Sequence, residues 1–210
     1  LIWEETPKGE LGNVNKQIDF NGVYVITGGT SGVGLEFARY FAKKGVKKII
    51  LMGINNLPSR EEWKSILGSK MDSSIRKKIS KITEIEKLGT QVKLYFGELY
   101  NFENLKKYFD SIQKDFGVVK GVVHSAVAKY QDQNSYFINK DLDNFIKVLK
   151  TKVLGAKYLD KIFEKNNLEI FISFSSVASV IPSRSKGLTD YALANSMMDQ
   201  YILNRRYLTK

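Results

Sequence analysis

The sequence contains no cysteine and a single histidine, His124. A chain without cysteine forms no disulfide and no thiolate metal site, and one histidine excludes the zinc motifs that need two. A Ser–His–Asp hydrolase would have to use His124 alone. No apolar run approaches the roughly 20 residues that span a bilayer, and the acidic start lacks a signal-peptide core. We therefore expect a cytoplasmic protein with no metal site and no membrane segment.

The charge of the chain is strongly positive. Lysine and arginine total 33 and aspartate and glutamate total 22, which gives a net charge of +11. This balance suits an acidic partner, such as a nucleic acid, an anionic membrane, a phosphate-bearing cofactor or an acidic carrier protein. The basic residues are spread over predicted helix faces, and no zinc-finger or aromatic RNA-binding pattern accompanies them. We therefore interpret most of the charge as solvated surface and expect neither a nucleic acid nor a membrane as partner.

Apolar runs alternate with amphipathic stretches along the chain. The 210 residues are enough for one domain with a sizeable core. We predict that residues 1–20 form a linker that leads into the folded domain and that this domain covers residues 21–210. Strands followed by helices at this spacing predict a Rossmann-like, doubly wound α/β fold with a parallel sheet. The predicted strands cover residues 23–27, 48–52, 91–96, 118–124 and 169–174.

Helices are predicted between these strands from local signals. Ser59 and Glu62 form a capping-box pattern that opens a helix. Isoleucines at three- and four-residue spacing predict an amphipathic helix that begins near Ile75 and ends near Leu88. A longer helix is predicted over about 141–166, and the last helix over about 191–207.

The first predicted strand leads into a glycine-rich segment, from Gly28 to Gly34, and then into a helix. Glycines at such a junction allow a tight turn and a close approach to a pyrophosphate, which the helix N-terminus also attracts. The spacing of Gly28, Gly32 and Gly34 differs from the common dinucleotide fingerprint, and the Lys-Ser/Thr pair of a P-loop is absent. The segment predicts a phosphate-binding turn other than a P-loop, with a tight turn that binds no ligand as the alternative.

Four polar residues form a second pattern: Lys152, Ser176, Tyr191 and Asn195. Ser175 and Ser176 follow the fifth predicted strand, at the carboxyl edge where doubly wound folds place their sites. Tyr191 and Asn195 are four residues apart on one helix face. A phenol with a pKa of ~10 is a poor acid at neutral pH, but a nearby ammonium lowers that pKa and a serine hydroxyl can hold a carbonyl oxygen. Each residue alone is typical of a structural position.

Together these motifs resemble the short-chain dehydrogenase/reductases, and more closely the ketoreductase domains of modular polyketide synthases, particularly those of trans-acyltransferase assembly lines. The resemblance covers about residues 22–206. In such ketoreductases the lysine precedes the serine and tyrosine, whereas in most other short-chain reductases it follows the tyrosine by four residues, where this chain has Asn195. The matching segments are Thr27–Gly34, Leu57–Trp63, Lys152–Ala156, Phe171–Ser179, Tyr191–Asn195 and Arg205–Arg206.

The resemblance implies NADPH-dependent reduction of a β-keto, or in some modules an α-keto, acyl thioester carried on the phosphopantetheine arm of an acyl carrier protein. It implies that Tyr191 protonates the carbonyl oxygen and that Ser176 hydrogen-bonds to it. Lys152 would lower the pKa of the tyrosine and position the nicotinamide ribose, while Asn195 would support the proton relay. Carrier proteins of this kind are usually acidic, which fits the positive charge of the chain.

The implied cofactor pocket departs from the family at three positions. Ile54 replaces the arginine that holds the 2′-phosphate, Glu98 replaces an aspartate near the adenine, and Val127 replaces a glycine. These departures leave NADH, or no cofactor, as alternatives to NADPH. They also leave open a degenerate, non-reducing domain with a structural or carrier-docking role. The implied cofactor-binding residues are Gly28, Thr30, Ser31, Gly32, Val33, Gly34, Ile54, Glu98, Leu99, Ser125, Ala126, Val127, Lys152 and Tyr191.

Other parts of the family pattern are not found in these 210 residues. The family continues with a lid helix and at least one further strand, and it usually carries a structural subdomain upstream. We therefore expect the lid and the last strands to be missing from this sequence, and neighbouring synthase domains to be partners. The Leu-Asp-Asp motif of one stereochemical class would fall at 129–131, where Lys-Tyr-Gln stands. His124, Trp3 and Trp63 are expected to be packing residues, and a small-carbonyl reductase that acts alone is a third alternative.

Overall fold

A single parallel sheet forms the centre of the computed structural model, which describes residues 18–69, 73–128 and 136–208. Within these residues the sheet has five strands in the order β3-β2-β1-β4-β5, and every neighbouring pair is parallel. This order reverses direction at β1 and confirms the predicted doubly wound fold. The strands are β1 (Val23–Thr27), β2 (Lys48–Gly53), β3 (Gln91–Phe96), β4 (Val119–His124) and β5 (Ile170–Ser173).

Helices cover both faces of the sheet because successive side chains of a strand point to opposite faces. Tyr24 and Ile26 of β1 pack into one core, and Val23 and Val25 pack into the other. All five residues of β1 are buried, which is typical of a central parallel strand. The helices are α1 (Gly32–Lys43), α2 (Trp63–Gly68), α3 (Ser74–Lys87), α4 (Phe102–Phe116), α5 (Leu142–Leu149), α6 (Gly155–Ile162) and α7 (Thr189–Leu208).

The helix predicted over about 141–166 is present over residues 142–162, but it is not a regular α-helix throughout. A π-helical turn, Lys150–Leu154, separates α5 from α6, and α6 ends at Ile162. A π turn accommodates an extra residue inside an α-helix and is frequent at functional sites. Here it directs the side chains of Lys152 and Val153 into the protein.

The local helix signals are otherwise confirmed. Glu62 accepts hydrogen bonds of 2.8 Å from both the backbone N–H and the hydroxyl of Ser59, and the capped turn leads into α2. Trp63 is buried, and its Nε1 donates a 3.0 Å hydrogen bond to the carbonyl oxygen of Pro58, so it is the expected packing residue. The isoleucine stripe of α3 is buried in its middle, while Ile75 and Leu88 at its ends are exposed. Trp3 and residues 129–131 lie outside the described residues.

At the C-terminal end of α7, Arg205 pairs with Asp160 of α6 over 2.6 Å. Tyr201 also donates a 2.7 Å hydrogen bond to Asp160, so α7 is fixed to α6. Across the parts of the chain that the structure describes, no helix has the length and apolarity needed to cross a bilayer. In the same parts, no group of three or more potential metal ligands occurs.

Candidate active site

The predicted site residues collect at the carboxyl edge of the sheet. Because all described strands are parallel, the segments that follow them meet at this edge, and ligands of doubly wound folds bind there at the point where the strand order reverses. The glycine-rich turn follows β1, residues 53–55 follow β2, residues 97–100 follow β3, and residues 125–128 follow β4. The loop with Ser176 follows β5.

The glycine-rich turn needs glycine at several positions. Gly28 and Gly32 have φ values of 66° and 54°, in the left-handed region that other residues avoid. A Cβ on Gly34 would lie 2.6 Å from the hydroxyl oxygen of Ser125, so the turn packs tightly against the loop after β4. Ser31 begins α1 without a side-chain cap, and the first turn of α1 contains no acidic residue. Its N–H groups are therefore available to an anion such as a pyrophosphate.

A cleft of about 220 Å³ opens beside this turn, between the segments after β1 to β4 and one face of α5. Six of the predicted cofactor residues line it: Gly28, Ile54, Glu98, Leu99, Ala126 and Val127. The remaining lining residues, which the sequence did not indicate, are Met52, Gly53, Asn55, Gly97, Tyr100, Ala128, Asn144, Lys147 and Thr151.

Several predicted cofactor residues lie outside the lining of this cleft. Thr30 is buried against Gly53, where an added Cβ would come within 2.5 Å of the Thr30 hydroxyl oxygen. The hydroxyl of Ser125 donates a 2.6 Å hydrogen bond to the carbonyl oxygen of Thr27. Ser31, Gly32 and Val33 are exposed at the start of α1, and Gly34 is buried within it. The predicted set is thus divided between the cleft, the turn and the loop after β4, while Lys152 lies in the π turn and Tyr191 in α7.

Glu98 is engaged by a neighbour on its own loop. Burial, together with a hydrogen bond from the hydroxyl to the Glu98 carboxylate, raises the pKa of Tyr100 to about 12. The ammonium of Lys150 lies 5.8 Å from the centroid of the Tyr100 ring. Val127 and Ile54 expose 41% and 53% of their surface, so both departures from the family face the cleft or the solvent rather than the core.

Lys152 is the buried cation of the site, with 1% of its surface exposed. Its Nζ donates a hydrogen bond to the carbonyl oxygen of Phe174, directly after β5. The same Nζ lies 6.0 Å from the centroid of the Tyr191 ring. Burial lowers the pKa of Lys152 to about 8, and the nearby carboxylate of Asp199 opposes this effect. The surroundings of Lys152 therefore disfavour the charged form relative to an exposed lysine.

His124 connects Lys152 to the end of β1. Its Nε2 is 3.0 Å from the carbonyl oxygen of Lys152, and its Nδ1 is 2.8 Å from the hydroxyl oxygen of Thr27. A carbonyl only accepts, so Nε2 carries the hydrogen and Nδ1 accepts from Thr27. Burial lowers the pKa of His124 to about 3, which keeps the ring neutral. The sequence predicted a packing residue, and the structure adds these two hydrogen bonds.

Two further residues make this arrangement possible. The hydroxyl oxygen of Thr27 also accepts the backbone N–H groups of Ser125 and Ala126, over 3.2 Å and 3.1 Å. A Cβ on Gly155 would lie 3.1 Å from Cε1 of His124, so the glycine makes room for the imidazole. Sequence reasoning missed both roles, although a glycine inside a helical pattern is a signal for such close packing.

The loop with Ser176 is tied to α7. The Ser176 hydroxyl accepts the backbone N–H of Ala178 over 3.2 Å and begins the short 3₁₀ turn Val177–Ser179. The Ser175 hydroxyl donates to one carboxylate oxygen of Asp199 over 2.7 Å. The Ser179 hydroxyl is shared between the same oxygen, at 3.1 Å, and the carbonyl oxygen of Ser176, at 2.7 Å. Asp199 is a functional candidate that the sequence did not indicate, and it lies two helical turns beyond Tyr191.

Asn195 supports Tyr191 from inside the protein. It is fully buried, and its Nδ2 donates a 2.7 Å hydrogen bond to the carbonyl oxygen of Tyr191. Its Oδ1 is buried and has no hydrogen-bond partner among the residues that the structure describes. A buried acceptor without a partner costs roughly 1–3 kcal/mol, so this oxygen suits a donor that arrives with a ligand or water. The structure thus brings Lys152, Tyr191 and Asn195 together, beside the loop that carries Ser176.

These features fit a dinucleotide cofactor. At Gly28, Gly29 and Gly34 the turn leaves little room for a side chain, the first turn of α1 offers N–H groups to a pyrophosphate, and the adjoining cleft is open to a ligand. The buried lysine and the tyrosine lie farther along the same edge. The fold and this site define a Rossmann-like protein of the short-chain dehydrogenase/reductase type.

The comparisons specify the family further. The KR domain family matches residues 22–209, and the chain belongs to this family. Polyketide synthase PksL of Bacillus subtilis (strain 168) is 37% identical over 190 residues, which are 89% of this chain and 4% of the synthase. The crystal structure of a ketoreductase domain from the bacillaene assembly line superposes with a TM-score of 0.74 at 28% identity. The superposition covers 90% of this chain and 40% of the bacillaene ketoreductase chain.

A second solved structure is an N-terminal ketoreductase from the macrolactin assembly line. Its TM-score is 0.71 at 30% identity, over 89% of this chain and 34% of that one. The resemblance to the ketoreductase domains of polyketide synthases is thereby confirmed. The chain spans only a small part of the curated relative and less than half of these solved chains.

Proposed function

We propose that this domain reduces the ketone of a β-ketoacyl thioester, or of an α-ketoacyl thioester, to the alcohol, with NADPH as the hydride donor. The observation that carries the proposal is the position of Lys152 at the carboxyl edge of the sheet. The residue is buried, its pKa is lowered by burial, and its ammonium lies 6.0 Å from the ring of Tyr191. A buried lysine with this neighbour is suited to proton transfer.

The cofactor would be held by the turn and the cleft described above. The glycine-rich turn would receive the pyrophosphate, and Ile54, Glu98, Leu99, Ala126 and Val127 would surround the adenosine. Lys152 and Tyr191 would hold the nicotinamide ribose. When bound, NADPH supplies a hydride to the carbonyl carbon.

The residues of this chain then manage the proton. The hydroxyl of Tyr191 donates its proton to the carbonyl oxygen, which completes the alcohol as the carbon accepts the hydride. The Ser176 hydroxyl donates a hydrogen bond to the same oxygen and holds it in place. The ammonium of Lys152 stabilises the phenolate that remains, while its bond to the Phe174 carbonyl keeps it directed along β5. The Oδ1 of Asn195, which has no partner in the described part of the chain, accepts a hydrogen bond from the water that returns the proton.

The substrate is proposed to arrive on the phosphopantetheine arm of an acyl carrier protein, within a larger synthase. Polyketide synthases among the relatives support this partner, and so does the net charge of +11, which would attract an acidic carrier. Neighbouring synthase domains and an upstream structural subdomain are proposed partners on the same grounds.

The test uses the longest native form of the protein that contains this domain. Binding of NADPH and NADH is followed by nicotinamide fluorescence, and reduction of a β-ketoacyl thioester by cofactor absorbance. Tyr191→Phe is expected to lower kcat by at least ~10²-fold while it leaves NADPH affinity nearly unchanged. The control Tyr40→Phe removes the hydroxyl of an exposed tyrosine on α1 and keeps full activity. Absence of binding by both cofactors at millimolar concentration would refute the reductase and favour the non-reducing docking role.

A further inference from the structure

A basic groove of about 560 Å³ runs between α1 and α3, directly beside the glycine-rich turn. Ser31 and Gly32 line one wall, and Arg76, Lys77, Lys78 and Lys81 line the other. The proposed mechanism uses none of these four basic residues. The groove also lies on the β2–β3 half of the sheet, away from Tyr191 and Ser176, which follow β5.

The register of the two helices is fixed by two ion pairs. Lys81 pairs with Glu36 over 2.6 Å, and Arg39 contacts Glu84 at 4.0 Å. In both pairs the residue of α3 is 45 positions after its partner on α1, so the helices run side by side in the same direction. One turn nearer their N-termini, the same register places residues 76–78 of α3 beside residues 31–33 of the turn.

The end of the groove nearest the turn is electropositive. Among the described residues that line the groove, Glu84 is the only one with a carboxylate, and it lies at the far end beside Arg39. Arg76 and Lys78 are half-buried, so their side chains lie along the groove rather than in open solvent. An arginine held in this way can bind a phosphate through two parallel hydrogen bonds.

The segment after β2 leaves the nearby corner of the cofactor site without charge. In this fold the residue after β2 selects the cofactor, since an acid there binds the ribose 2′-hydroxyl of NAD and an arginine binds the 2′-phosphate of NADP. Residues 53–56 are glycine, isoleucine and two asparagines, which supply neither group. Nothing in this segment repels a phosphate, and the described cations that share a groove with the turn belong to α3.

We propose that Arg76, assisted by Lys78, binds the 2′-phosphate of NADPH and thereby replaces the basic residue that is absent at position 54. The inference rests on the proposed function, because its ligand is the cofactor of that reaction. Specificity for the phosphorylated cofactor would then reside in α3 rather than in the segment after β2.

The test compares two pairs of ligands that differ only in the 2′-phosphate. Calorimetry measures adenosine 2′,5′-bisphosphate against adenosine 5′-monophosphate, and fluorescence measures NADPH against NADH. The wild type is expected to prefer the 2′-phosphorylated member of each pair. Arg76→Gln weakens binding of that member by about tenfold and Arg76→Gln with Lys78→Gln by about 100-fold, as expected for charged hydrogen bonds, while the other member changes less than about twofold.

The matched control is Lys87→Gln, which removes one positive charge from the last turn of α3, outside the groove. It should leave all four affinities unchanged, and circular dichroism melting should show that every variant is folded. Equal loss of both members of a pair, or no loss with the double variant, would overturn the proposal. So would a loss of carrier-protein affinity with unchanged NADPH binding, because the groove would then be a docking surface. Failure of the wild type to bind either NADPH or NADH would instead refute the proposed reductase.

Discussion

His124 donates a hydrogen bond from Nε2 to the carbonyl oxygen of Lys152 over 3.0 Å. The bond joins the end of β4 to the π turn, and through Thr27 it also reaches the end of β1 and the loop after β4. The proposed proton donor site and the cofactor loop therefore depend on one buried, neutral imidazole.

We predict that His124→Leu lowers kcat by about tenfold or more and the free energy of unfolding by roughly 1–3 kcal/mol, since it leaves buried polar groups without partners. In His124→Gln the side-chain amide can still donate to Lys152, and this variant should recover most of both losses. The measurements are steady-state kinetics and urea unfolding of both variants. Equal behaviour of the leucine and glutamine variants would contradict the positioning role.

The buried charge of Lys152 predicts a pH dependence of stability. Burial lowers the pKa of the ammonium from 10.5 to about 8. Between these values the unfolded chain binds more protons than the folded one, so the stability of the wild type rises with pH relative to Lys152→Met. Urea unfolding at about pH 7 and about pH 9.5 measures this difference. The control Lys87→Met removes an exposed lysine and should show the same pH dependence as the wild type, whereas a flat difference for Lys152→Met would show that the buried group does not titrate there.

We predict that substitution of Asp199 changes the pH profile of activity. Its carboxylate opposes the effect of burial on Lys152, and its oxygen accepts the hydroxyls of Ser175 and Ser179. In Asp199→Asn the amide oxygen can still accept both hydroxyls, but the charge is lost, so the pKa of Lys152 falls further and the alkaline limb of kcat moves to lower pH.

Asp199→Ala removes the acceptor as well, and it should lower kcat by about a further tenfold through the loosened Ser176 loop. Ser179→Ala, which removes a single donor, serves as the matched control with a smaller effect. A pH profile of Asp199→Asn that coincides with the wild type would contradict the electrostatic link to Lys152.

We expect the substitution of glycine by alanine to have opposite effects on stability at Gly34 and at Gly68. A Cβ on Gly34 would lie 2.6 Å from the Ser125 hydroxyl and 2.7 Å from the carbonyl oxygen of Gly28. We expect Gly34→Ala to lower the free energy of unfolding by roughly 1–3 kcal/mol and to weaken cofactor binding. Gly68→Ala, in α2 with open space around the new methyl group, should instead stabilise the protein by up to ~1 kcal/mol. Thermal melts of both variants measure the effects on stability, and cofactor titrations measure the effect on binding.

The sequence predicts the sheet well because its strands are short, apolar and rich in β-branched residues, as in Val23–Thr27. The capping box of Ser59 and the glycine-rich turn are equally local, and they are where the sequence places them. The π turn at Lys150–Leu154 does not follow from local sequence signals, because it accompanies the contact that His124 of β4 makes with Lys152. The link between Asp199 and Ser175 and the register of α1 against α3 also arise only when distant segments pack together.

The π turn also changes the direction in which side chains point around the axis of one continuous stretch of helix. An extra residue in a turn rotates everything that follows by about 100° around the helix axis. Asn144 and Lys147 before it and Thr151 near its start line the cleft, while Ala156 and Leu159 after it are buried. One stretch of chain can therefore serve the ligand with its first half and the core with its second. Deleting a single residue from Lys150–Leu154 would restore regular helix geometry and, with it, turn Lys152 or the buried side of α6 away from its present partners.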